Sequence, residues 1–170
     1  MVDSGPMQTH APLRRSLRLV RIVAPLVVVA VAAAGCVKGS PPPASGDAQA
    51  LLQKVNEVRA ARGLGALAWC PTLANAATKH TQDMAAHGFM GHNGTDGSTF
   101  VSRANGHGYV HWNWLYENVA AGKNSVDEVM ASMMSSPPHA ANILNRNINH
   151  AGFARVGSYW TLDFGANGTC

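Results

Sequence analysis

The stretch Ser125–Phe164, SVDEVMASMMSSPPHAANILNRNINHAGFARVGSYWTLDF, changes its period midway. Ser125 and Glu128 stand at capping-box spacing, and Val126, Val129, Met130, Met133 and Met134 give the residues after Ser125 one apolar helical side. Pro137-Pro138 ends that helix, and a brief helical turn holds His139 to Leu144. Beyond it apolar residues alternate, first from Gly152 to Val156 and again from Tyr159 to Phe164, and Gly157-Ser158 between them is a hairpin signal. Helix and hairpin mix here without βαβ alternation or internal repeat, which assigns the chain to the α+β class.

Upstream, Leu51, Leu52, Val55, Val58 and Arg59 recur at helical spacing within Ala48–Arg62, and Gly63 supplies the stop. Pro71 opens a second helix that carries Leu73, Ala74, Ala77, Thr81, Met84 and Ala85 and closes at Gly88. A short helical turn runs from Thr99 to about Asn105, and Trp114–Val119 reads as a strand.

Residues 1–35 have the layout of a bacterial export signal. Arg14, Arg15, Arg18 and Arg21 precede an apolar run from Ile22 to Ala34, well short of the roughly 20 residues of a membrane-spanning helix. Ala33-Ala34-Gly35-Cys36 resembles the lipobox of bacterial lipoproteins, so Cys36 is expected to carry acyl chains that hold the protein at the outer face of the cell membrane. Simple cleavage and secretion is the alternative. Residues 36–46, with Pro41-Pro42-Pro43, read as a tether, and residues 47–170 as one domain.

The formal charge of +4 owes much to the four signal arginines, and the rest of the chain is near neutral. No nucleic acid partner is called for. With Cys36 assigned to the anchor, Cys70 and Cys170 remain as an even pair, expected to be bonded in an exported protein; two free thiols are the alternative.

His92, Glu117 and His139 offer the ligand types that a zinc-like ion takes when one position stays open. Each also has an ordinary role: a solvated loop histidine, a backbone-capping carboxylate and a helix cap. Glu128 is explained by its capping box. Met130, Met133 and Met134 read as core more readily than as an adaptable groove, and Trp160 as packing. Trp112 and Trp114 are placed to form an aromatic wall. His80, His87, His107, His111 and His150 are expected at the surface.

Six ordered strings, NEVRAARGLGALAW, LANAATKHTQDMA, GHNGTDGSTFVSRA, YENVAAG, SPPHAANILN and YWTLDFG, resemble the bacterial branch of the CAP superfamily. That superfamily includes cysteine-rich secretory proteins, insect venom antigen 5 proteins and plant pathogenesis-related class 1 proteins. The resemblance implies a three-layer α-β-α sandwich with a cleft of two histidines and up to two glutamates. His92, Glu117 and His139 match three of these positions, and Ser136 stands where many relatives carry the second glutamate. Some superfamily members carry sterols or fatty acids.

The reading is therefore a non-enzymatic, tethered module with no assigned catalytic residue. It binds a small apolar or cell-envelope ligand and holds zinc or another divalent metal at His92, Glu117 and His139. A metal-dependent, peptidase-like hydrolase and a cell-surface interaction module are the alternatives. The hydrolase lacks a convincing general base once Ser136 replaces the glutamate.

Overall fold

The computed structural model describes residues 46–170. The export signal, Cys36 and the tether up to residue 45 lie outside the described residues. The chain order is α1 (Gly46–Ala60), β1 (Ala68–Trp69), α2 (Pro71–His87), α3 (Phe100–Gly106), β2 (Trp114–Ala120), α4 (Val126–Ser135), α5 (Pro137–Ile143), β3 (His150–Val156) and β4 (Tyr159–Ala166). Among the described residues no helix is long and apolar enough to cross a membrane.

The hairpin forms where alternation predicts it, with Val156 opposite Tyr159 across Gly157-Ser158. The sheet order is β1-β3-β4-β2, antiparallel except for the β1–β3 pair. Strand β1 escapes the sequence reading because a two-residue strand has no period to detect. The Pro137-Pro138 reading also needs correction. The two prolines do not merely end α4. Ser136 is at once the C-cap of α4 and the N-cap of α5, and Pro137 occupies the first turn of α5, where a missing N–H costs nothing.

Period-two alternation distributes the sheet between two helical layers. Ala151, Phe153, Trp160, Leu162 and Phe164 join the core built with α1, α4 and α5. The intervening residues face α2: Thr161 Oγ1 accepts from the Thr81 hydroxyl at 2.8 Å, and Gly152 lies against Leu73 and Ala74. This is the α-β-α sandwich that the resemblance implied. Met130 and Met133 are core, as expected, whereas Met134 is only partly buried. Trp160 is buried, and its indole donates to the Lys123 carbonyl at 2.8 Å.

Arg59, on the apolar side of α1, is fully buried. Its guanidinium donates to the carbonyls of Gly65, Ile143 and Asn145 at 2.8–2.9 Å, so one charged head fixes α1 to the end of α5. The expected bridge is present, with Cys70 and Cys170 Cα atoms 5.1 Å apart. Among the histidines expected at the surface, His80 departs most: it is buried, because helical spacing places it on the α2 face that covers the sheet. His150 lies half-buried in β3 rather than in a polar loop.

A Cβ at Gly152 would collide with the α2 backbone at Leu73 and Ala74, and backbone cannot step aside as a side chain can. Gly152→Ala should therefore lower unfolding stability by about 1–3 kcal/mol, read as a lower urea midpoint at unchanged slope.

Candidate functional site

Glu117 occupies the fourth position of β2, opposite Asp163 of β4, on the face that α2 and α3 cover. Its side chain has no solvent exposure. A buried carboxylate must find charge and hydrogen bonds. Arg103 of α3 supplies both, its Nη2 donating to Glu117 Oε2 at 2.6 Å. The same guanidinium donates to the carbonyls of His92 and Ser98 at 3.0 Å, so it ties the 92–98 loop to the strand. The capping box of α3, with Thr99 and Ser102 bonded reciprocally, sets where that helix begins.

Glu117 Oε1 lies 2.9 Å from His92 Nδ1. The histidine is about half exposed, its side chain 52% accessible against 0% for the glutamate. With Nδ1 engaged by a fixed carboxylate, Nε2 is the nitrogen left for a ligand. His139 belongs to α5, on the opposite layer. Burial first, and then the proximity of His92, lower its pKa and favour the neutral, ligand-competent imidazole. The two histidines thus approach from opposite layers beside β2, an edge strand among the described residues. Asn118, on the other face of β2, fixes α5 there: its Nδ2 donates to the His139 carbonyl at 3.1 Å and its Oδ1 accepts from Asn142 at 2.8 Å.

The three sequence-predicted residues are not gathered equally. Glu117 spends both oxygens on protein donors, so it orients His92 from behind. Among the described residues, the ligating side chains whose ligand atoms all lie within 4.8 Å of one another are Cys70, His150 and Cys170. Ser136 caps α5, and Glu128 Oε2 accepts from the Asn124 backbone at 2.7 Å, so Glu128 is committed as a cap. Trp114 stacks on Tyr116 with rings 6.4 Å apart and nearly parallel.

Sequence reading passed over Arg103, Asp163 and His80. Asp163 is buried directly beside Glu117, whose charge and side-chain hydrogen bond both act on it. Burial, then the Glu117 charge, raises its pKa well above the ordinary carboxylate value. His80 Nε2 lies 2.6 Å from the Gly91 carbonyl, beneath the start of the His92 loop. Burial lowers its pKa. One signal was available for Arg103: it shares a helical side with Phe100 and Ala104 and would be costly there without a partner.

The family described as CAP, the cysteine-rich secretory protein family, matches residues 52–164. The chain belongs to the CAP family. YkwD, an uncharacterized protein of Bacillus subtilis strain 168, is 32% identical to this CAP domain over 118 residues, which are 67% of this chain and 45% of that protein. The chain thus spans less than half the length of this relative. An extracellular protein containing an SCP domain from Bacillus anthracis superposes with a TM-score of 0.69 at 24% identity, over 72% of this chain and 41% of that one. An outer surface protein of Borrelia burgdorferi gives 0.63 at 20% identity, over 69% and 90%. These structural likenesses establish the fold.

Arg103→Met leaves Glu117 buried and unpaired and should cost about 3–5 kcal/mol, whereas Arg103→Met/Glu117→Leu should cost less than the sum of the single changes; urea unfolding of the four proteins checks this. A second prediction concerns Asp163. Its folded pKa is raised, so its contribution to stability is present below the unfolded value near 3.9 and is lost as pH rises through the folded value. Asp163→Asn removes that loss. The stability of Asp163→Asn relative to wild type should therefore rise from about pH 4 upward, and a difference that is flat or falls with pH would contradict a raised Asp163 pKa.

Proposed function

We propose that this CAP domain is an exported, envelope-tethered binding module whose two-histidine cleft takes a divalent cation. The observation that carries the reading is the Glu117–His92 contact. A carboxylate that fixes one ring nitrogen and leaves the other free is the usual support behind a metal-ligating histidine. His92 and His139 are the ligands in this reading, and Glu117 orients His92 rather than completing a triad. Imidazole pairs suit zinc, copper or nickel, with water in the remaining positions. A bound cation would supply Lewis acidity. The residues facing it offer no free carboxylate as general base, because Ser136 replaces one and Glu128 is a cap, so binding is favoured over hydrolysis.

Export is supported by the signal-like residues 1–35 and by the Cys70–Cys170 bridge, a bond that persists in oxidising compartments. The structural relatives, an extracellular protein and an outer surface protein, agree. Acylation of Cys36 would supply the tether.

A second observation favours an apolar or cell-envelope ligand for the same module. Between α1 and α4 lies a groove floored by Val58, Met130, Ala131 and Met134, with the Lys54–Asp127 ion pair at its rim. Partly exposed methionine provides the adaptable lining such ligands need.

Thermal unfolding of the full chain, with the disulfide intact, tests the cation site. Zinc at 100 times its dissociation constant should stabilise wild type by about 2.7 kcal/mol and leave His92→Ala/His139→Ala unmoved; equal stabilisation of both overturns the reading. For the groove, a fluorescent fatty acid should be retained by wild type and lost by Ala131→Trp, which fills the space. Retention by neither protein, or by both, rejects that part.

A further inference from the structure

The Cys70–Cys170 bridge has a third ligand-bearing side chain beside it. A ring nitrogen of His150 lies within 4.8 Å of both sulfurs. We propose that the reduced bridge is a second metal site, in which Cys70, Cys170 and His150 hold one zinc-class cation with a fourth position open to water, and that closing the disulfide releases it. Two thiolates, one imidazole and an open position form a recognised zinc ligand set. This site shares no residue with the His92–His139 cleft.

The argument rests on what keeps the three groups together once the S–S bond is broken. Cys70 is buried at the N-cap of α2, and its N–H donates to the Ala151 carbonyl at 2.8 Å. Cys170 is exposed, but the residues before it are anchored independently. Thr169 N donates to the Val110 carbonyl at 3.0 Å, the Thr72 hydroxyl donates to the Thr169 carbonyl at 2.9 Å, and Asn167 N donates to Asn149 Oδ1 at 3.2 Å. Gly165 and Gly168 lie so close to the Tyr109 ring that a Cβ at either would collide with it. The tail is therefore seated by hydrogen bonds and packing as well as by sulfur. Thiolates bound about 2.3 Å from a tetrahedral zinc stand roughly 3.8 Å apart. Opening the bridge that far asks for a small movement of the exposed partner.

His150 is held just as firmly. Its backbone pairs in register with Ala68 and Gly165, and its Nδ1 lies 3.1 Å from the Tyr109 hydroxyl. The two rings meet edge to face at 5.9 Å. A hydroxyl on a ring nitrogen fixes the orientation of the imidazole. At the other ligand, the N-terminus of a 17-residue helix favours the thiolate of Cys70.

The chemistry balances. A phosphine or dithiol reductant delivers two electrons and two protons to the S–S bond, becoming a phosphine oxide (its oxygen taken from water) or a disulfide, and leaves two thiols. Binding of the cation expels both thiol protons to solvent. Exchange with an acceptor disulfide, itself reduced to two thiolates, re-forms the bridge and frees the cation.

The test uses the full chain carrying Cys36→Ser, so that Cys70 and Cys170 are the thiols present, with Co(II) alone as probe. After phosphine reduction this protein should bind one equivalent and show thiolate-to-cobalt charge-transfer absorption, and the oxidised protein should not. Tyr109→Phe should weaken binding by about tenfold to a hundredfold. His150→Ala should weaken it further and alter the ligand-field bands, while His92→Ala/His139→Ala should keep the thiolate band. Circular dichroism reports whether the reduced chain stays folded. The proposal is overturned by a reduced chain that lacks the band, folded or not, by His150→Ala matching its parent in affinity and spectrum, or by loss of the band in the cleft double variant.

Discussion

A carboxylate inside a sheet is a demanding group to place, and the site of this protein is organised around one. Glu117 has no access to water, so its charge must be met within the protein. Arg103 meets it, and because Arg103 also holds the carbonyls of His92 and Ser98, the same ion pair fixes α3, the loop before it and the strand beneath. The oxygen of Glu117 left over orients His92. Asp163, directly opposite on β4, lies in the same buried field, and burial and the Glu117 charge push its pKa up.

The positions of His92 and His139 follow from sheet order. With β2 at an edge, a loop from the α2/α3 layer and a short helix from the opposite layer can approach each other beside the strand without a covering element between them. Asn118 and Glu117, adjacent on β2 and pointing to opposite faces, each fix one layer: Asn118 holds α5 and so His139, and Glu117 holds His92. The junction at Ser136 sharpens the effect. One residue ends α4 and begins α5, so His139 falls in the first turn of a helix whose start is set by Pro137. The Cys70–Cys170 bridge joins the N-cap of α2 to the C-terminal residue and shares no residue with His92, Glu117 or His139.

Most secondary structure was legible because it rests on local periodicity. The Ser125 cap of α4, Pro71 and Gly88 around α2, and the alternation through β3 and β4 each announce an element from its own residues. Strand β1 and the start of α5 were missed for local reasons too, one being too short for a period and the other hidden behind a pair of prolines. His92, Glu117 and His139 stood out by residue type and by six ordered strings that resemble a known family. Their partners did not. Arg103 reads as an ordinary helical arginine, Asp163 as a polar interruption in an apolar strand, and His80 as a surface residue.

The sequence by itself determined the α+β class and the family, and made Cys70 and Cys170 the expected pair. Only the tertiary structure decided that Glu117 orients His92 while bound to Arg103, that burial beside Glu117 raises the Asp163 pKa, and that His150 stands beside the bridge. The reason is physical. Helical and strand periods are set by residues a few positions apart, whereas the charge state and ligand role of a side chain are set by whatever burial places next to it, and residues distant in sequence leave no periodic trace of that contact.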